Sequence, residues 1–346
     1  MSKTLQDYAT LINDTIQSNE INYYITTDNM CQNLGGIDTF KNINIPQGKV
    51  RSFQKDDILL SNIRLYFRKV YRAKQKGGCS SDVLVFRAKH IDSATLFAIL
   101  SSQIFTDYAC SGSQGSKMPR GNKTHMMDFK IPTINFTIAK IFNSIQNKIE
   151  NNHKINELLH TLAYKIYEYY FKYKPKNAKL EQIIIENPKS SIMVKNAQKT
   201  QDKYPFFTSG DNILSYPQAI IDGRNCFLNT GGNADIKFYV GKASYSTDTW
   251  CICTNEFSDY LYLLLSSIKT HINQSFFQGT SLKHLQKNLL KKYPIYMPSA
   301  HEIKKFNQII MPLLTLISIN TRTSKKLEQI RDFLLPLLLK QQVKPQ

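Results

Sequence analysis

The sequence predicts an α+β protein built from two repeated α/β domains, each followed by one long helix. Three observations lead to this fold class. Sequence landmarks recur in the same order about 167 residues apart. In each copy, short β-like runs bounded by Gly and Pro are followed by a helical stretch, at residues 94–109 and 257–276. Each copy then closes on a long helical segment with a mostly apolar seam.

The internal repeat rests on four matches that occur in the same order. Any one of them is compatible with chance, whereas four at nearly one offset indicate a duplicated domain. The matched segments are 58–62 with 226–230, 80–82 with 246–248, 114–116 with 278–280, and Pro132 with Pro298.

The charge balance of the chain limits the kinds of molecule that it is expected to bind. The chain has 45 Lys and Arg residues against 26 Asp and Glu residues, which gives a formal net charge of +19. Without an amphipathic basic helix, this excess favours nucleic acid over a membrane surface, although a basic surface that serves only solubility is the alternative. A hydrophobic fraction of 42% in 346 residues is sufficient for two ordinary cores.

The sequence lacks the features typical of membrane-spanning, secreted and zinc-binding proteins. No apolar run approaches the roughly 18 residues that a membrane span needs, and residues 1–17 do not read as a signal peptide. The six cysteines form no CxxC pair, and no His or Cys spacing is typical of a zinc site. We therefore expect a reduced, cytoplasmic protein without a metal ion.

Two long helices are predicted over residues 136–172 and 300–341. About 35 residues at a rise of about 1.5 Å give each helix a length of roughly 50 Å, which exceeds the needs of a compact domain. Asn152 and Asn320 interrupt the two seams at matching positions, and an Asn in an apolar seam costs stability but fixes pairing. We favour pairing of the helices with each other. The alternative is that each helix covers its own domain with its Asn facing solvent.

Eight runs of the sequence carry a resemblance to a known family, namely residues 25–30, 57–64, 78–86, 115–123, 205–210, 241–248, 279–282 and 327–336. Together they resemble the specificity (S) subunit of a type I restriction–modification system, over essentially the whole chain. The resemblance implies two target-recognition domains, each reading one half of a split DNA site, and two helical regions that pair as an antiparallel coiled-coil spacer. The implied boundaries are 1–133 for the first recognition domain, 134–175 for the first spacer helix, 176–298 for the second domain and 299–346 for the second helix.

The same resemblance implies partners for the helices. Methyltransferase (M) subunits, of which we expect two, would dock there and would carry S-adenosylmethionine, so no cofactor is expected on this chain. Restriction and motor (R) subunits would join the same complex. The residues expected to mediate helix pairing or docking are Asn152, Leu159, Ile166, Asn320, Leu327 and Leu334.

Candidate DNA contacts in the first domain fall into two groups. Lys117, Arg120 and Lys123 lie in a loop rich in Gly and Pro, where charge can approach a phosphate; a solvated loop is the alternative reading. Asn62, Arg64, Tyr66 and Arg68 would alternate onto one face if that run is a strand. Arg and Asn pair bidentately with guanine and adenine, so this group is the candidate for reading bases, against an exposed strand face with a structural Asn.

Candidate contacts in the second domain are small polar side chains on a flexible backbone, together with nearby lysines. The loop that contains Gly231 and Gly232 has an alternative reading as a plain hairpin turn. The candidates are Ser209, Asn212, Asn229, Asn233, Lys237, Lys283 and Lys287.

The sequence carries no motif for chemistry on DNA. Residues 187–190 lack the second Pro and the aromatic residue of an adenine methyltransferase motif, and residues 112–117 fail the spacing of a P-loop. We therefore expect a non-catalytic chain that recognises a bipartite, asymmetric duplex sequence. Two alternatives remain open: a stand-alone DNA-binding enzyme with an unfamiliar site, and a structural adaptor with non-specific DNA binding.

Overall fold

A computed structural model describes residues 3–38, 41, 43–131, 133–197, 203–210 and 213–339. The chain divides into two compact units with mixed α and β structure. Unit 1 contains Met1–Asn151 and Lys326–Gln346, and unit 2 contains Asn152–Lys325. Because the first unit includes the C-terminal end of the chain, the units are not two successive segments of sequence.

Unit 1 contains two four-stranded sheets. One has the antiparallel order β1-β8-β5-β6, and the other has the order β2-β4-β7-β3, in which β3 and β7 are parallel. The strands are β1 (Ala9–Ile12), β2 (Thr15–Gln17), β3 (Tyr24–Ile25), β4 (Lys49–Phe53), β5 (Ile58–Ser61), β6 (Val70–Arg72), β7 (Gly77–Cys79) and β8 (Val83–Ala88).

The central strands β5 and β8 are apolar on both faces, which explains their continuous hydrophobic runs. Ile58, Leu60 and Phe86 enter the main core of the unit, whereas Leu59 and Val85 enter a smaller core on the opposite face. Four short helices complete the sequence of elements before the long one. They are α1 (Leu5–Tyr8), α2 (Ser93–Leu100), α3 (Gln103–Ser111) and α4 (Lys123–Met127).

Unit 2 contains a four-stranded sheet of order β10-β16-β13-β14, a three-stranded sheet of order β12-β11-β15 and two short strand pairs, β17-β18 and β19-β9. Its helices are α6 (Ser258–Ser267), α7 (Lys269–Ser275) and α8 (Lys287–Lys291). The strands are β9 (Ala178–Lys179), β10 (Ile185–Glu186), β11 (Tyr204–Phe207), β12 (Leu214–Tyr216), β13 (Arg224–Asn229), β14 (Ile236–Val240), β15 (Ser244–Tyr245), β16 (Thr249–Cys253), β17 (Phe277–Gln278), β18 (His284–Leu285) and β19 (Pro294–Ile295).

The helical stretch predicted in each copy is divided in two. In unit 1 the side chain of Ser102 caps α3 by accepting a hydrogen bond from the Phe105 amide at 3.2 Å, so a new helix begins after α2. In unit 2, α6 ends at Ser267 and α7 begins at Lys269.

The long helices are α5 (Phe136–Phe171) and α9 (Ala300–Leu338). At a rise of about 1.5 Å per residue they measure about 54 and 58 Å. Helix α9 is continuous through Pro312, and the predicted end at Gln341 lies outside the described residues.

In unit 2 the two long helices pair through amide and hydroxyl side chains. Asn152 donates to the Ser324 hydroxyl at 3.1 Å, and Asn320 donates to the side-chain oxygen of Asn156 at 2.9 Å. Residue numbers rise on one helix as they fall on the other, so the helices run antiparallel at these contacts. Asn152 is only 1% exposed and therefore faces the second helix, not solvent. Leu159 and Ile166 are half-buried against the core of unit 2.

In unit 1 a buried arginine of α9 forms a contact with α5. Arg331 is 2% exposed and donates to the Gln146 side-chain oxygen at 3.0 Å and to the Asn33 carbonyl at 3.4 Å. Leu335 and Leu338 continue the buried face of α9 into the core of this unit.

The seam predicted for this part of α9 is wrong in register. Leu327 and Leu334 are only half-buried, and Leu335 takes the buried position expected of Leu334. The hydrophobic pattern gave the wrong register for this part of α9 because a charged residue, Arg331, lies on the buried face of the helix, one turn before Leu335.

We predict that Arg331→Ala lowers the free energy of unfolding by about 3 kcal/mol, because it leaves a cavity and an unsatisfied Gln146 side chain. Urea denaturation of the purified chain measures this change. Lys326→Ala, at an exposed position of the same helix, should change the value by less than about 0.5 kcal/mol. Equal effects of the two substitutions would contradict the assignment of Arg331 to the helix pair.

Candidate nucleic-acid interface

A short basic hairpin follows α3 in unit 1. Gln114 and Arg120 close it through two backbone hydrogen bonds of 2.9 and 2.8 Å, and we call residues 114–120 the first hairpin. Gly115 has φ +102°, a conformation that favours glycine and allows the tight turn. Lys117 and Arg120 are exposed on this hairpin, and Lys123, also exposed, begins α4 immediately after it. The basic loop expected from the sequence is therefore one accessible surface.

The hairpin lies against the segment that follows β5. The Gly121 amide donates to the Asn62 carbonyl at 3.1 Å, and the Arg64 amide donates to the Pro119 carbonyl at 2.9 Å. The Arg64 guanidinium also reaches the Lys117 carbonyl at 3.4 Å. The two groups of candidate residues, more than fifty positions apart in the sequence, thus meet at one site.

The run through Asn62, Arg64, Tyr66 and Arg68 is not a strand, so the condition for placing these side chains on one face is not met. Strand β5 ends at Ser61, and Arg64 and Arg68 both adopt left-handed backbone angles, with φ of +51° and +50°. These residues flank a 3₁₀ turn over Leu65–Phe67, whose first residue is buried. The backbone therefore turns at Arg64 and again at Arg68, and the side chains of this run do not alternate between two faces as they would in a strand.

This geometry separates the four side chains. Asn62 is 8% exposed, and Arg68 donates to the Ser101 carbonyl at 2.9 Å while burial lowers the pKa of its guanidinium. Tyr66 is exposed, and Arg64 is partly exposed beside the first hairpin. Only Arg64 and Tyr66 of this group are therefore presented to a ligand at the surface.

The acidic pair next to this segment is neutralised by arginine. Asp57 is buried and accepts two hydrogen bonds of 2.8 Å from Arg87, and Asp56 accepts one of 3.1 Å from Arg72. This pairing agrees with a structural role for the two carboxylates.

Unit 2 contains a second hairpin at residues 278–284. Gln278 pairs with His284 across it, and Gly279 has φ +141°. The Gly232 amide donates to the Lys283 carbonyl at 2.9 Å, and the Leu285 amide donates to the Thr230 carbonyl at 3.0 Å. Lys283 and His284 are exposed. The segment around Gly231 and Gly232 therefore supports this hairpin, as the segment after β5 supports the first.

Two of the polar residues predicted to contact DNA in unit 2, Asn229 and Lys237, donate hydrogen bonds to the backbone around residues 208–210. Asn229 is buried and donates to the carbonyls of Ser209 and Asn233 at 2.9 and 3.3 Å. The Lys237 ammonium donates to the carbonyls of Thr208 and Gly210 at 2.9 and 2.7 Å. These contacts occupy the side chains of Asn229 and Lys237. Asn212 lies outside the described residues.

An open cavity of about 690 Å³ lies beside this loop. Asp235 forms ion pairs there with Lys269 at 2.7 Å and with Lys237 at 3.3 Å. Burial alone would raise the pKa of Asp235, but its bonds to Lys269 and Lys237 outweigh burial and lower the pKa. The carboxylate therefore stays charged, and the cavity is lined by groups of both signs.

Lys287 packs on the single tryptophan of the chain. Its ammonium lies 5.1 Å from the centroid of the Trp250 ring, and burial lowers its pKa. The Trp250 indole donates to Glu186 at 2.8 Å. Lys287 is thus a partly buried cation with an aromatic partner, which the sequence did not indicate.

The described part of the chain contains no group of three or more His, Cys, Asp or Glu side chains placed to bind a metal ion. None of its helices has the length and apolar character required to cross a bilayer.

Comparison with known proteins finds a family match in the second half of the chain. Residues 176–329 match the family described as type I restriction modification DNA specificity domain, which confirms the resemblance seen in the sequence. The S subunit of a type I restriction–modification system from M. genitalium aligns with a TM-score of 0.64 and 14% identity over 99% of this chain and 96% of that chain, which shows a shared fold. The HsdS subunit from Thermoanaerobacter tengcongensis aligns with a TM-score of 0.37 and 13% identity over 98% and 96%. No curated protein matches the chain significantly.

We predict that the double variant Lys117→Ala and Lys123→Ala weakens duplex DNA binding and lowers the slope of log affinity against log salt by about 2, because each lysine lost releases about one fewer counterion. Fluorescence anisotropy across a salt series measures this slope. The control Lys140→Ala with Lys148→Ala removes the same charge from exposed positions of α5 and should leave the slope nearly unchanged. An equal drop in the control would indicate only a general charge effect.

Proposed function

Because residues 176–329 match the type I restriction modification DNA specificity domain, we propose that this chain is the DNA-recognition subunit of a type I restriction–modification complex. It binds a bipartite, asymmetric duplex sequence and has no catalytic role of its own. One observation carries the proposal: each unit presents a hairpin beside basic side chains, held by the same two backbone hydrogen bonds.

The matched hydrogen bonds support one reading domain in each unit. The bond from Arg64 to Pro119 has its counterpart from Gly232 to Lys283, at the offsets of the sequence repeat. The amides of Asn62 and Thr230 also make equivalent bonds, to the carbonyls of Asp82 and Asp248 respectively. Duplicated domains with different surface side chains would read two different half-sites, and the +19 charge would supply affinity for phosphates.

The paired helices would serve as the spacer between the two readers. Two readers on the same face of a duplex need their centres about 34–36 Å apart, or a multiple of one turn. The hydrogen bonds of Asn152 and Asn320 support this role, because polar contacts in a helix seam fix the register and hence the length of the spacer.

Exposed apolar side chains on the long helices support docking of partner proteins. The predicted docking residues Leu159 and Ile166 face the core, but neighbouring positions on α5 and α9 remain exposed at helical spacing. These are Ile155, Leu158, Leu162 and Tyr169 on α5, and Ile309, Leu316, Ile319, Ile330 and Phe333 on α9.

M subunits, with two copies expected, would occupy these surfaces and carry S-adenosylmethionine. They would flip the target adenine out of the duplex, since a stacked base is not accessible to the methyl donor. R subunits would join the complex to cleave unmodified DNA. The present chain would supply the choice of sequence for both reactions.

Mapping of N6-methyladenine tests the recognition role. We expect that the chain, co-expressed with its M subunit in a host without adenine methylation, directs methylation to one split motif. Replacing residues 176–298 with those of another S subunit should change one half of that motif only, because the other unit is retained. Methylation without a common motif, despite a stable complex, would contradict the proposal.

The proposed docking of M subunits on exposed apolar side chains of α5 can be tested by substitution. The double variant Leu158→Glu and Leu162→Glu should weaken M-subunit binding by at least about 30-fold, since charges would enter an apolar contact surface. Asn151→Glu with Thr161→Glu adds the same charge at exposed polar positions of α5 and should bind the M subunit nearly normally. Calorimetric titration of the purified proteins distinguishes them, and equal weakening would argue against an apolar docking face.

A further inference from the structure

The two hairpins place an exposed apolar side chain at the same position of their tips. Met118 is 54% exposed, and Leu282 is 57% exposed. Each lies four residues after the glutamine that opens its hairpin and two residues before the residue that closes it, Arg120 or His284. The side chains beside them differ, because Lys117 and Pro119 of the first hairpin correspond to Ser281 and Lys283 of the second. The apolar tip is therefore common to both hairpins while its neighbours are not.

The backbone of each tip is fixed in the same way. The backbone carbonyl of Met118 lies in van der Waals contact with the position that a Cβ atom on Gly115 would take. The backbone carbonyl of Leu282 lies so close to Gly279 that a Cβ atom on Gly279 would collide with it. Both glycines have positive φ, which a side chain would strain further. Together with the bonds that hold each hairpin to its unit, this fixes the direction in which the tip points. A fixed tip loses little conformational entropy when it binds.

A single exposed methionine or leucine is ordinary on a protein surface. Two at equivalent positions of duplicated hairpins, next to cations, call for a partner that has both negative charge and apolar surface. Lys117 and Arg120 lie on the first hairpin with Met118, Lys123 follows it at the start of α4, and Lys283 follows Leu282 on the second; all four are exposed, and Arg120 also forms an ion pair with Asp82 at 3.0 Å. Duplex DNA offers this combination, since its phosphates attract the cations while its base edges and opened base steps accept Met and Leu side chains.

We propose that Met118 and Leu282 are the apolar base contacts of the two half-sites, one from each unit. This inference rests on the proposed DNA-recognition function and assigns specificity-determining residues within it. The flanking cations hold the phosphates, and the tip side chain packs against the bases between them. Met118 acts on one half of the target, and Leu282 acts on the other.

The test uses the full chain in complex with its M subunit and a library of random duplexes, from which binding selects a motif. Met118→Gln and Leu282→Gln replace each apolar tip with a polar side chain. Each variant should lose base preference at one or two adjacent positions, in opposite halves of the motif. Affinity for the wild-type motif should fall about tenfold, as for one mismatched base pair, while the salt dependence stays unchanged.

Ile104→Gln in unit 1 and Ile220→Gln in unit 2 are the matched controls. Each of these isoleucines is 44% exposed and lies outside the hairpins, so neither substitution should alter the selected motif. Thermal denaturation should give equal midpoints for the tip variants and the controls, because all four side chains are at the surface.

Two DNA substitutions identify the surface that the tip contacts. Replacement of thymine by deoxyuridine at the affected position reproduces the loss if the contact is a thymine methyl group. A rise in 2-aminopurine fluorescence, present with wild type and absent with the tip variant, identifies an opened base step. Either result supports the proposal, and failure of both overturns it.

The outcomes also separate this inference from the proposed function. A wild-type complex that selects a split motif, with tip variants that select the same motif at the same affinity, overturns the role of Met118 and Leu282 alone. Loss of preference in both halves from one variant overturns it as well. A wild-type complex that selects no motif overturns both the inference and the recognition function.

Discussion

The packing of α9 against α5 contributes to the main hydrophobic core of each unit. In unit 2, Tyr167 of α5 and Phe306 of α9 lie in the same buried cluster, and in unit 1 the corresponding cluster contains Phe142 and Leu338. The last turns of α9 contribute Leu335 and Leu338 to the main core of the first unit, which therefore contains residues from distant parts of the sequence. A shift of one helix along the other would expose apolar surface in both cores and break the bonds of Asn152, which fixes the register.

In unit 1 a continuous set of contacts joins the helix pair to the basic hairpin. Arg331 bonds to the carbonyl of Asn33, and the amide of Asn33 bonds to the carbonyl of Phe67 in the turn between the two left-handed arginines. At the other end of that turn, the amide of Arg64 holds the hairpin at Pro119. The unfavourable backbone angles of Arg64 and Arg68 are thus maintained by contacts on both sides of the turn.

The sequence was sufficient to predict the α+β class, the positions of both long helices and the basic loop around Lys117, because periodicity, offset and charge are local signals. It did not reveal the left-handed angles of Arg64 and Arg68, since most residue types at such positions lack a sequence signature. The burial of Arg331 was missed because hydrophobic periodicity counts arginine as polar. The contact of Lys287 with Trp250 was missed because its partner is distant in sequence. A signal for Met118 and Leu282 was present, since both are apolar at matched positions of the repeat.

We propose that a paired-helix spacer of fixed length holds two independent readers of DNA. Insertion of three heptads into each long helix, after Asn151 and after Lys325, tests it most directly because both sites lie at the boundary between the units. Twenty-one residues add about 32 Å to each helix, which corresponds to about nine base pairs, nearly one turn of duplex, so both readers still meet the same face of the DNA. Methylation mapping with this variant should show the same two half-sites with a gap about nine base pairs longer. An unchanged gap, or half-sites with different bases, would contradict the account.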